Sequence, residues 1–91
     1  MNKKLTLIEG TFTPEEAREI LMNAFTSKIN FHNIKNMTSF ETVGKEDEMA
    51  VKRISELKTE LMKVRELLAE AQEKEMNLVI ESTISVKGLS L

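Results

Sequence analysis

The chain has no cysteine, tryptophan or tyrosine, and its 91 residues include one histidine, one proline and three glycines. Without cysteine there is no disulfide framework, no thiolate zinc site and no thiol nucleophile. Gly10, Gly44 and Gly88 lie too far apart to form a phosphate-cradling loop. Neither a G-x-S-x-G elbow nor an H-E-x-x-H helix occurs. His32 stands alone, so one chain cannot build a multi-histidine site. Glu9, Glu81 and His32 have the right chemistry for acid–base work, but nothing in the sequence brings them together. Clusters such as Glu70, Glu73 and Glu75 read as a solvated helix face rather than a metal site.

Charge of one sign is also missing. Thirteen basic residues against fifteen acidic ones leave a net charge of −2. A dedicated phosphate-backbone binder has a clearly basic footprint, so nucleic acid is a disfavoured partner. Long apolar runs are absent too. After Met1-Asn2-Lys3-Lys4, the stretch Leu5 to Ile8 is shorter than the ~7–15 apolar residues of a signal peptide. No run approaches the ~18 needed to cross a membrane. These absences lead to the expectation of a cytoplasmic, non-enzymatic protein with no cofactor, no metal and no membrane contact.

What is present is a 41% hydrophobic fraction, enough for a core and too much for a disordered chain. The pattern reads as one small α+β domain over residues 1–91, ordered β-α-α-β. A short strand over Lys3–Phe12 puts Leu5 and Leu7 on one face by alternation. Thr13-Pro14-Glu15-Glu16 then starts a helix: Thr13 as N-cap, Pro14 in the first position, Glu16 completing a capping box. That helix is expected from Pro14 to about Asn36. Its apolar arc, from Ile34 round to Met22 and including Ala17, Ile20, Leu21, Ala24, Phe25, Ile29 and Phe31, spans roughly 240° at 100° per residue. An ordinary surface helix needs only about 100°.

A connection over Met37–Lys45 leads into a second helix, about Glu46–Glu75. There Ala50, Ile54, Leu57, Leu61, Val64, Leu68 and Ala71 alternate at steps of four and three, a heptad seam. Ile54, Leu57, Leu61, Val64 and Leu68 are the candidate oligomer interface. The chain closes with the clearest strand, Leu78–Lys87, in which Leu78, Ile80, Ile84 and Val86 share a face that Ser82 interrupts. The short connection makes the helices antiparallel neighbours, and the two strands are expected to pair antiparallel. A lone strand pair is marginal and leaves both edges open. The fold is therefore expected to be completed by dimerisation, most simply about a two-fold axis.

One further stretch stands out. From Ile20 to Phe40 there is no acidic residue, yet it holds four asparagines, Lys28, Lys35, His32 and three of the four phenylalanines. Lys28, His32 and Lys35 lie at i, i+4 and i+7 and form a candidate recognition face for an anionic ligand. The plainer reading makes the stretch the most buried part of the first helix, with His32 partly buried and hydrogen-bonded. Met22, Met37, Met49, Met62 and Met76 form no stripe and read as gap-fillers. The leading functional expectation is a structural module that presents a surface to another protein. A small regulator using Lys28, His32 and Lys35 is the alternative.

Overall fold

The computed structural model describes residues 1–91 as β1 (Asn2–Phe12), α1 (Pro14–Val43), α2 (Glu48–Glu73) and β2 (Leu78–Lys87). This is an α+β fold in β-α-α-β order, a helical hairpin whose flanking strands pair antiparallel. The capping box forms as read. Glu16 N–H donates to Thr13 Oγ1 at 3.2 Å, and Thr13 N–H donates to Glu16 Oε1 at 2.9 Å.

α1 runs past Asn36 to Val43, so most of the expected connection is helical and the real turn is Gly44–Asp47. No proline or glycine interrupts the chain between Pro14 and Gly44. The hydroxyl-rich stretch does not break the helix, because Thr42 Oγ1 bonds back to the Thr38 carbonyl at 2.8 Å. Gly44 ends it at φ 70°, with its N–H on the Phe40 carbonyl. That left-handed position suits a residue without Cβ. Asp47 caps α2 by accepting the Ala50 N–H at 3.0 Å. At the far end Glu75 adopts φ 53°, and the Met76 N–H reaches back to the Ala71 carbonyl at 2.8 Å.

The sheet corrects one detail of the strand alternation. Leu5 pairs with Ile84 and Ile8 with Ser82, with a bulge at Leu7. Residues paired across a ladder share a face, so Ile8 joins the face of Leu5, while Leu7 sits unpaired at the bulge and is exposed. Ile8 thereby sits opposite Ser82 and supplies apolar bulk where β2 lacks it. Ile8, Phe12, Leu78 and Ile80, at the base of the sheet, are half-buried. Leu5, Ile84 and Val86 continue the same face outward and are exposed. The helices shelter only the base.

Very little of the chain is covered. Only Ala17, Ala50, Leu57, Leu61, Leu68 and Ala71, six residues of 91, are buried. The accessible surface is 7467 Å², whereas a compact monomer of this mass would expose about 5,400 Å². The radius of gyration is 16.5 Å against about 12 Å for a compact domain of this length. The molecule is a flat, open frame of 50 × 31 × 15 Å.

Candidate interaction surface

The heptad seam of α2 closes within the chain. Leu57, Leu61 and Leu68 are already buried with a single copy present, and Ile54 and Val64 are half-buried. With Ala50 and Ala71 these five side chains form the core of the hairpin, and the exposed apolar side chains lie on other residues.

On α1 the residues that are not exposed, counting from Leu21, include Leu21, Phe25, Ile29, His32, Asn36 and Ser39. Their spacing of four, four, three, four and three marks the stripe turned toward α2. Along that stripe the chemistry changes: it is apolar as far as Ile29 and polar from His32 onward. The polar half holds the turn in place. Asn36 Oδ1 accepts the Asp47 N–H at 2.7 Å, and Ser39 Oγ donates to the Lys45 carbonyl at 2.9 Å.

The apolar residues of this half of α1 are left uncovered. Phe31, Ile34, Met37, Phe40 and Val43 are all more than half exposed. They recur at a constant step of three, which makes them one oblique row rather than a stripe parallel to the axis. The acid-free stretch is thus not the most buried part of α1, as its apolar arc had suggested. The distal half of the helix is inverted: polar toward its own chain, apolar toward solvent.

The basic candidates divide between two shallow grooves along the hairpin. Lys28 lines a groove of about 680 Å³ with Phe25, Leu57 and Glu60, and its ammonium lies 5.3 Å from the centroid of the Phe31 ring. His32 and Lys35 line a second groove of about 380 Å³, where Lys52 and Arg53 of α2 join them. Sequence reading missed Lys52 and Arg53, because only the fold of the hairpin brings them beside α1. Arg53 is paired with Glu56 at 3.2 Å, which offsets part of the positive charge. His32 is partly buried, as expected, but its Nδ1 is buried without a hydrogen-bond partner. The ring meets Phe31 edge-on at 5.1 Å.

Elsewhere the charges pair locally. Lys74 Nζ donates to Glu70 Oε1 at 2.7 Å, and that hydrogen bond and the lysine charge hold the exposed Glu70 carboxyl below its ordinary value. No three His, Asp or Glu side chains gather where they could hold a metal ion. No helix is long and apolar enough to cross a membrane. No protein-family model, curated protein or solved structure matches this chain.

Proposed function

We propose that this chain is a small, non-enzymatic interaction module that works as a homodimer in the cytoplasm and presents a surface to another protein. The observation that carries this reading is the uncovered apolar area. The chain exposes 7467 Å², about 2,000 Å² more than a compact monomer of its mass. Eighteen large hydrophobic side chains are exposed, against six buried apolar residues. Single exposed apolar residues are ordinary, but contiguous ones mark a surface that another molecule covers. The non-catalytic part of the proposal rests on the sequence, with its lone histidine and lack of nucleophile motifs. Light scattering at micromolar concentration is expected to give twice the 10.4 kDa chain mass. A stable species of one chain mass would remove the basis for the proposal.

A second reading has one observation in its favour. Lys52 and Arg53 extend the His32 and Lys35 face across the hairpin, which gives an anionic ligand or nucleic acid more cationic groups than α1 alone offers. With few phosphate contacts per chain, such binding would show a shallow salt dependence. A labelled oligonucleotide titrated at low salt separates the readings. Equal binding by wild type and by the Lys28→Glu/Lys35→Glu variant would dismiss this face.

A further inference from the structure

We infer that the oblique row on the distal half of α1, centred on Ile34, Met37 and Phe40 with Phe31 and Val43 at its flanks, is the self-association surface, met by the same row of a second copy. This inference rests on the homodimer proposed above and says where the two copies touch.

The first argument is that the row cannot turn inward. Asn36 and Ser39 occupy the inward side of the same helical turns and bond the Asp47 N–H and the Lys45 carbonyl. Rolling α1 to bury Phe31 or Phe40 against α2 would break both hydrogen bonds and expose the turn. The outward position of Phe31, Ile34, Met37 and Phe40 is therefore fixed by the chain's own polar contacts.

The second argument is self-complementarity. A row at steps of three is inclined about 45° to its helix axis, so two such rows laid together make the helices cross steeply. A two-fold axis at Met37 then sets Ile34 against Phe40 of the second copy, while Phe31 and Val43, each about 120° round the helix from Met37, lie at the flanks of the contact. Phe40 thus meets the smaller Ile34 on both sides of the axis, the alternation of large and small groups that fills a shared layer without voids. The row itself carries no charge, so no like charges are forced together along it.

The third argument is area. The excess of about 2,000 Å² per chain is what each partner of a large permanent dimer covers, because such interfaces bury about 2,000–5,000 Å² in total. The row spans thirteen residues of helix, about 18 Å, and forms the central part of that contact.

The test uses the full chain, which has no native cysteine and so gives a clean background. Met37→Cys is expected to cross-link between copies under mild oxidation at least tenfold faster than Met62→Cys, which replaces an equally exposed methionine on α2. In parallel, Ile34→Asp/Phe40→Asp is expected to raise the dimer dissociation constant at least a hundredfold in sedimentation. Both sites are more than half exposed, so the helical circular dichroism is expected to persist. If wild type is a dimer but the double variant associates equally well, or Met62→Cys links as fast as Met37→Cys, the row is not the interface and only this inference falls. If wild type is a monomer throughout, the homodimer proposal falls with it.

Discussion

Glu75 is the one residue other than glycine with positive φ, at 53°. It occupies the position just after the α2 cap, where the Met76 N–H returns to the Ala71 carbonyl. A side chain with Cβ in this left-handed region costs roughly 1–2 kcal/mol, and glycine is the usual occupant. Glycine also loses more freedom on folding, which offsets part of the relief. Glu75→Gly is expected to stabilise the chain by about 0.5–1 kcal/mol, a rise of about 2–8 °C in melting temperature at this size. A fall in melting temperature would mean that Glu75 contributes something its exposed side chain does not reveal. The signal for this position was present in the sequence only as a Lys-Glu-Met-Asn run without glycine, which is why the boundary was read two residues late.

The elements differ in how much of them could be read in advance. The start of α1 was legible because Thr13, Pro14 and Glu16 act through adjacent backbone groups, with no help from tertiary structure. The α2 seam was legible because one face of that helix meets one neighbour along its length. Its center is Leu61, and the cost of disturbing it follows from burial. Placing a carboxylate there removes a large apolar side chain, worth about 2–5 kcal/mol as a cavity alone, and buries an unpaired charge in addition. That sum equals most of the stability of a small domain, so Leu61→Asp is expected to abolish the cooperative thermal transition. A cooperative melt within a few degrees of wild type would show that the seam does not hold the hairpin. α1 was less legible. Its wheel adds the two halves together and gives one wide arc, whereas in the fold the half ending at Ile29 turns its apolar groups inward and the half after it turns them out. The polar residues that force the inversion act through Lys45 and Asp47, on a turn whose position depended on where α1 ended. The β1 bulge was hidden for a similar reason, since register is a property of the pair and Leu7 looks regular in its own strand.

Taken as a single body, the chain hides an unusually small share of its surface. Its unfolded form would expose about 15,000 Å², so 7467 Å² in the fold means that only about half is hidden, against about 60% even for a 60-residue domain. Two groups of exposed apolar side chains contribute to the deficit: the oblique row on α1, and the outer half of the sheet face at Leu5, Ile84 and Val86. Both edges of the two-stranded sheet are also open. If association supplies the missing burial, folding and dimerisation are one equilibrium, and stability must depend on protein concentration. A tenfold increase in concentration adds about 1.4 kcal/mol to a two-chain folding equilibrium. For a unit of two such chains that corresponds to a rise of about 3–5 °C in melting temperature. Thermal melts between 1 and 100 micromolar are therefore expected to shift upward by about 6–10 °C across the two decades. The Ile34→Asp/Phe40→Asp variant is expected to lose most of that slope, because its chains can no longer share the row. A wild-type melting temperature that stays constant over the same range would show a chain that folds alone despite its open frame. The exposed row and sheet face would then have no part in holding it together.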